Sequence, residues 1–100
     1  MLEYLSHINK AFESKVRLGI MSVLMVNECM DFVSLKQLLG LTDGNLASHA
    51  RALEEAGYIT CTKQFVGRRP NTTYSATPEG KEAFRQHLDA LEAFLREQHS

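Results

Sequence analysis

Residues 34–80 decide the fold, and they read SLKQLLGLTDGNLASHARALEEAGYITCTKQFVGRRPNTTYSATPEG. Two short amphipathic segments, each ending at a glycine, precede a stretch of residues that favour extended backbone. An S-x-x-Q capping box beginning at Ser34 starts the first segment, and Gly40 can take the positive φ that ends it. Thr42 is the expected N-cap of the second segment, which we predict to be a helix over 43–56.

The residues after this second helix predict a hairpin with a basic tip. Tyr58–Phe65 is rich in strand-forming residues, and Thr72–Ala76 favours a return strand. Residues 67–71, Gly-Arg-Arg-Pro-Asn, form the expected turn because glycine permits a tight bend and proline stiffens it. Thr77 is then an N-cap with proline at the first helical position, which predicts a last helix over 78–98.

Two more helices are expected before this region. Apolar residues recur every three or four positions over 2–12, and Ser14 is a plausible N-cap for a helix over 15–28. Phe32-Val33 favours a short extended piece. The complete order predicts a mainly α (α+β) fold in one domain, 1–100. The expected architecture is a winged helix-turn-helix with about five helices and a two- to three-stranded antiparallel wing.

The charged residues are unevenly distributed along the chain, and this limits the kinds of partner that it can bind. The chain of 100 residues has a net charge of −1, yet 58–76 contains three basic residues and no acid, whereas 77–100 has a local charge of −2. A focused basic loop suits an anionic partner. The apolar run Leu18–Val26 is too short to span a membrane. We expect a cytoplasmic protein in which Cys29 and Cys61 are reduced, buried thiols.

The segments LTDGNLASHARALEEAGYI and YSATPEGKEAF carry a family resemblance. They resemble the winged helix-turn-helix of MarR- and ArsR-type transcriptional regulators, especially the small single-domain members. The resemblance implies a homodimer that binds a roughly palindromic site in double-stranded DNA. It also implies that the recognition helix, 43–56, lies in the major groove and that the wing, 63–72, lies on the backbone or in the minor groove. The cysteine pair of ArsR-type metal sensors has no counterpart in SLKQLLG.

Short polar side chains on the face opposite Leu46, Ala50 and Leu53 let the helix backbone approach a groove, and arginines at the wing tip suit phosphate or minor-groove contacts. The alternative for these residues is a solvated surface, and Arg51 has the further alternative of pairing with Glu55. The residues expected to contact DNA are Thr42, Gly44, Asn45, Ser48, His49, Arg51, Lys63, Arg68, Arg69 and Asn71. Further candidates for backbone contacts are Lys15, Arg17 and Lys36.

The terminal helices, about 2–12 and 78–98, carry apolar stripes that a small winged domain does not cover by itself. We therefore expect a twofold dimer; the alternative is that both helices pack back on their own domain. The expected interface residues are Leu2, Leu5, Ile8, Leu88, Leu91, Phe94 and Leu95.

Three functional readings remain open at this point. The leading one is a dimeric regulator of transcription that acts as a repressor, and the alternative is a winged-helix module for protein–protein contact without direct DNA binding. A small-molecule effector between the dimer helices is compatible with the first reading. No catalytic or phosphate-loop motif is present, and the four histidines do not have metal-ligand spacing, so we expect neither an enzyme nor a cofactor or metal.

Overall fold

The computed structural model of the chain describes residues 9–12 and 14–99, with side chains as far as Glu97. A 3-10 turn, Lys10–Phe12, precedes the regular elements. These are α1 (Lys15–Val26), β1 (Met30–Asp31), α2 (Phe32–Leu39), α3 (Asp43–Glu55), β2 (Ile59–Val66), β3 (Arg69–Ala76) and α4 (Pro78–His99). The described part thus has four α-helices rather than about five. Most of the helix predicted over 2–12 lies outside the described residues, and its described end is the 3-10 turn.

The three strands form one antiparallel sheet in the order β1-β3-β2. Cys61 pairs with Tyr74 and Val66 pairs with Arg69 in the β2–β3 hairpin, while Met30 pairs with Tyr74 on the other side of β3. The short β1 reaches only the base of β3, so the distal half of the hairpin projects as a two-stranded wing. The predicted α+β class and the winged helix-turn-helix architecture are confirmed.

The core lies where α1 crosses α2, α3 and the base of the sheet. The Phe12 ring lies 5.2 Å from the ring of Tyr58 and 5.1 Å from the ring of Phe84, measured between centroids. The start of the described chain is therefore packed against α4 and the beginning of the hairpin. The fully buried large side chains are Phe12, Ile20, Met21, Leu24, Leu35, Leu46, Leu53 and Ile59.

The helix α2 begins three residues earlier than the sequence indicated. Its N-cap is Asp31, whose carboxylate accepts the Ser34 backbone N–H at 2.7 Å and the Ser34 hydroxyl at 2.9 Å. The capping box predicted to start at Ser34 is therefore wrong, and so is the extended piece predicted at Phe32-Val33. A charged acceptor at a helix start is stronger than a neutral hydroxyl. Because Asp31 also pairs with Thr73 in the sheet, its extended backbone is fixed from both sides.

This cap predicts a stability difference that depends on pH. Asp31→Ala should lower the free energy of unfolding at neutral pH by about 1 kcal/mol. The hydrogen bonds from Ser34 hold the pKa of Asp31 below its ordinary value of 3.8, so the charged cap stabilises the fold above that value. Its contribution is lost as the pH falls through the lower folded-state pKa. Urea titrations should show that the difference in the free energy of unfolding between wild type and variant becomes smaller below about pH 4. A difference that becomes larger there would contradict the role of Asp31 as the cap.

The other predicted helix ends of the central motif are confirmed. Gly40 has φ 64° and ends α2, and Leu41 N–H donates to the Lys36 carbonyl. The Thr42 hydroxyl accepts the Asn45 N–H at 3.2 Å and caps α3. Gly57, with φ 81°, turns the chain from α3 into the sheet. Glycine is favoured at the two positive-φ positions and a side-chain oxygen at the N-cap, so these helix ends follow from local chemistry.

The turn of the wing is tighter than predicted. Only Gly67 and Arg68 lie outside the paired strands, because Val66 pairs with Arg69. Gly67, at the first central position, has φ 65°, as a type II′ turn requires. The strand β3 therefore begins at Arg69 instead of Thr72, and the five-residue loop predicted over 67–71 is wrong.

The cysteines also differ from expectation. Because Asn27 has extended backbone and ends α1 at Val26, Cys29 falls in the connection to β1 and is exposed. Cys61 is half-buried on β2. The prediction of two buried thiols is thus wrong for Cys29 and only partly met by Cys61. Among the described helices, none is both long enough and apolar enough to cross a bilayer.

Candidate nucleic-acid interface

The helix α3 presents a polar face of short side chains. Leu46, Ala50 and Leu53 are buried against the core, as predicted, and they hold the helix in place. On the opposite side the first three turns carry small or polar residues that leave the helix backbone accessible. The exposed positions of this face are Thr42, Gly44, Asn45, Ala47, Ser48 and Arg51.

A lysine on α2 neutralises the negative charge at the start of α3. Lys36 on α2 lies 2.8 Å from the carboxylate of Asp43, the acid in the first turn of α3. Asp43 is exposed and Lys36 is half-buried, so the pair contributes little to stability. It does, however, offset the charge that would repel an anion from the N-terminal end of the helix. The Thr42 hydroxyl is occupied as a cap, which leaves its other lone pair and its proton for an outside partner.

His49 is oriented by α1. Its ring is half-buried, and Nδ1 accepts a hydrogen bond from Nε of Arg17 at 3.1 Å. A guanidinium only donates, so Nδ1 is the acceptor in this contact and Nε2 is the ring nitrogen left for an outside partner. His49 is therefore less accessible than Ser48, and its contact to an outside ligand is restricted to Nε2.

A groove of about 980 Å³ separates α3 from the hairpin. Arg51 and Lys63 stand on its two sides, and two acids lie toward the C-terminal end of α3. Arg51 does not pair with Glu55 in the described part of the chain, whose ion pairs include Lys36–Asp43, Arg85–Glu82 and Arg96–Glu92. The groove is lined by Ala47, Ser48, Arg51, Glu54, Glu55, Cys61, Lys63 and Tyr74.

Two titratable groups at this groove are held neutral. Burial, reinforced by the nearby Glu54 carboxylate, raises the pKa of the Cys61 thiol, although Lys63 opposes the shift. Burial also raises the pKa of Tyr74, with smaller contributions from Cys61 and Glu54. Neither group adds negative charge near neutral pH. The charge of the groove is therefore set by its cationic and carboxylate side chains.

The hairpin divides the predicted wing residues between two faces. Side chains alternate along a strand and cross-strand partners share a face. Lys63 has the same parity as Cys61 and lines the groove beside α3. Arg69, and Asn71 two residues later, belong to the opposite face, and Arg68 is in the turn. The structure thus brings Lys63 together with Ser48 and Arg51, but it does not bring Arg69 and Asn71 to that groove.

The sequence did not predict the roles of two residues. Phe65 is 73% exposed near the wing tip. Its exposure could have been predicted from the alternation of side chains along the strand. Ile59, Cys61, Lys63 and Phe65 share one face, and a lysine before the phenylalanine indicates that this face is no longer buried there. The second residue is Asn9, which joins the start of the described chain to α4 and to the residue before the hairpin. Its Nδ2 donates to the Tyr58 hydroxyl at 2.8 Å, and its backbone N–H donates to His87 Nδ1 at 3.0 Å. A single asparagine carries no pattern that would predict these contacts.

A family model described as a winged helix DNA-binding domain matches residues 16–95. The chain belongs to this family. An uncharacterised protein of Methanocaldococcus jannaschii is 38% identical over 79 residues, which cover 79% of this chain and 86% of that protein. The structure of a transcriptional regulator homologue from Pyrococcus horikoshii superimposes with a TM-score of 0.86 at 35% identity and covers 96% of this chain and 97% of that one.

The winged helix family match includes all four helices and the whole hairpin, apart from the ends of α1 and α4. An ArsR family transcriptional regulator has a TM-score of 0.61 and 26% identity, over 99% of this chain and 90% of that one. The expected kinship with MarR and ArsR regulators is therefore confirmed. Within the described residues, no group of three or more His, Cys, Asp or Glu side chains is arranged to hold a metal ion.

Proposed function

We propose that the chain is a transcriptional regulator that binds double-stranded DNA as a homodimer and represses by blocking access to a promoter. The observation that carries the proposal is the geometry of the groove, where Ser48 and Arg51 of α3 face Lys63 of the wing. The exposed face of α3 contains no large side chain before Arg51, which suits close approach to base edges. Membership of the winged helix DNA-binding domain family supports the same conclusion.

The helix α3 has the size and chemistry to read a major groove. A groove about 12 Å wide admits one α-helix. Gly44 and Ala47 keep its exposed face low, so that Asn45 can reach adenine through its amide and Ser48 can reach a base or a phosphate. Thr42 at the helix start is placed for a phosphate contact. In this arrangement His49 uses only its Nε2 atom.

The wing and the groove carry the backbone contacts. Arg51 and Lys63 are cationic side chains on opposite sides of one groove, an arrangement that suits a phosphodiester strand passing between α3 and the hairpin. Glu54 and Glu55 close the far end of the groove to an anion. Arg68 in the turn is placed for a neighbouring phosphate or the minor groove, whereas Arg69 and Asn71 serve the other face of the wing.

The helix α4 supplies the proposed dimer contact. Phe84, His87 and Ala90 are buried on one side, whereas Leu88, Leu91 and Leu95 are 45%, 36% and 59% exposed. Their spacing of three and four residues forms a single apolar stripe along a helix of 22 residues. Phe94 is half-buried beside it. The proposed partners Leu2, Leu5 and Ile8 lie outside the described residues. To bind a palindrome, the proposed dimer must hold its two α3 helices about 34 Å apart, which is one turn of DNA.

The dimer contact predicts a change of mass. Leu91→Glu should convert the protein to a folded monomer at micromolar concentration, because each protomer would bury a carboxylate in the apolar stripe. Multi-angle light scattering measures this directly. Gln86→Glu, which adds a charge at an exposed position outside the stripe, is the matched control and should stay dimeric. A wild-type monomer at this concentration would overturn the dimer proposal.

Selection of bound sequences from random duplex DNA tests the whole proposal. Wild type should enrich a palindrome, and an Arg68→Ala/Arg69→Ala double variant should enrich it more weakly. If each subunit neutralises about four phosphates, the logarithm of affinity should fall with the logarithm of salt concentration with a slope of about −7. The double variant should show a shallower slope in anisotropy titrations. No enrichment and no salt dependence would instead favour a module for protein–protein contact.

A further inference from the structure

The wing ends in an exposed aromatic side chain that its own fold does not use. Phe65 is 73% exposed, and it is absent from the ring contacts among the described residues, all of which involve Phe12, Phe32 or Phe84. A phenylalanine normally contributes most when its ring is buried. At the tip of the projecting hairpin, Phe65 and the exposed Pro70 paired with it leave an apolar surface uncovered in the described structure.

The register shows which way Phe65 is directed. Phe65 follows Cys61 and Lys63 on the same face of β2, and both of these line the groove beside α3. It lies two residues beyond Lys63, or about 7 Å farther along the strand. Its cross-strand partner is Pro70, which is also exposed. The two rings thus form an apolar pair on the α3 side of the wing, past the end of the groove.

The charges around this pair indicate an anionic partner with apolar surfaces. Lys63 precedes Phe65 on the same face, Arg68 follows in the turn, and no acid occurs from residue 58 to residue 76. The surplus of positive charge favours an anionic partner over a neutral apolar pocket. The minor groove of DNA combines both properties, since its walls are deoxyribose rings and its rims are phosphates. Pro70 has no N–H to leave unpaired and holds the strand rigid.

We propose that Phe65 and Pro70 enter the minor groove beside the major-groove site of α3, where the Phe65 ring packs on the deoxyribose walls. This inference rests on the proposed DNA-binding function and adds an apolar contact to it. Proteins that bind the minor groove use apolar side chains as well as cations to hold the duplex. The wing then contributes to affinity in two separable ways. The contribution of its cations depends on salt concentration, and the contribution of the Phe65 ring does not.

Anisotropy titrations with the selected duplex separate these components. Phe65→Ala should weaken binding by about tenfold or more, because a dimer loses two buried rings, and its salt slope should equal that of wild type. Arg68→Ala should weaken binding and make the slope shallower. On a duplex shortened to remove the base pairs beneath both wings, wild type and Phe65→Ala should bind equally. Because Phe65 is exposed, thermal unfolding of the variant should match wild type.

Each outcome has a definite meaning. Equal affinity of Phe65→Ala and wild type on the long duplex would overturn the inference and leave the proposed function intact. A variant that binds DNA normally but changes the mass measured by light scattering would assign Phe65 to a protein contact and would also overturn it. Failure of wild type to bind any duplex would reject the proposed function itself, whatever Phe65 does.

Discussion

Gly80→Ala should lower the free energy of unfolding by about 3 kcal/mol or more, at the upper end of what overpacking costs. A Cβ at this position would lie 2.0 Å from the carbonyl oxygen of Tyr58 and less than 3 Å from the carbon atoms next to it. These are backbone atoms, so no side-chain rotation can relieve the contact. The Tyr58 carbonyl also accepts the Thr77 N–H at 3.0 Å, and the Thr77 hydroxyl donates to the Gly57 carbonyl at 2.7 Å. The start of α4 therefore cannot move away without breaking its own anchor.

Urea unfolding followed by circular dichroism measures this effect, with Gly44→Ala as the matched control. Gly44 lies in the first turn of α3, is exposed, and has open space where a Cβ would be. The same substitution there should raise stability by up to about 1 kcal/mol, because alanine loses less backbone entropy than glycine in a helix. A Gly80→Ala variant as stable as wild type would contradict the close approach of α4 to the Tyr58 backbone.

Ser48→Glu should lower the affinity for the selected DNA by about 100-fold or more while leaving the fold intact. Ser48 is exposed at the middle of α3 and lines the groove between Arg51 and Lys63. A carboxylate there would face phosphates and would engage the two cations that we assign to the DNA backbone. Because a dimer presents the substitution twice, a cost of about 1.4 kcal/mol per subunit is sufficient for this loss.

Ser22→Glu is the control for charge, since it makes the same chemical change on the exposed side of α1, outside the proposed interface. It should bind DNA within about threefold of wild type, because distant exposed charges are largely screened at physiological salt. Anisotropy titrations at one salt concentration compare the three proteins. Equal loss of affinity in both variants would show that net charge, and not contact by α3, governs binding.

The sequence predicted those parts of the fold that local chemistry determines. The N-cap at Thr42 and the positive φ of Gly40 need no information from distant residues, so both ends of the turn between α2 and α3 were placed correctly. The start of α2 was not, because Asp31 and Ser34 are both good N-caps. The choice between them depends on the pairing of Asp31 with Thr73, more than forty positions away in the chain.

For the wing, too, only the features that depend on local sequence could be predicted. Its basic composition and its place after α3 could be read from the sequence, but the faces of its side chains could not. A loop of five residues leaves the register open, whereas the observed two-residue turn fixes it. That register places Lys63 and Phe65 toward α3 and Arg69 away from it. Asn9 was missed because its contacts join distant parts of the chain.

Tyr58 joins the parts of the molecule that the proposed function assigns to different tasks. Its ring packs on Phe12, its hydroxyl accepts from Asn9, and its carbonyl receives Thr77 against the bare Cα of Gly80. The next residue begins the hairpin. Tyr58 thus connects α4, which we propose as the dimer helix, directly to the hairpin that carries the wing. In the proposed dimer, a change in the crossing angle between the two α4 helices would therefore also change the distance between the two wings.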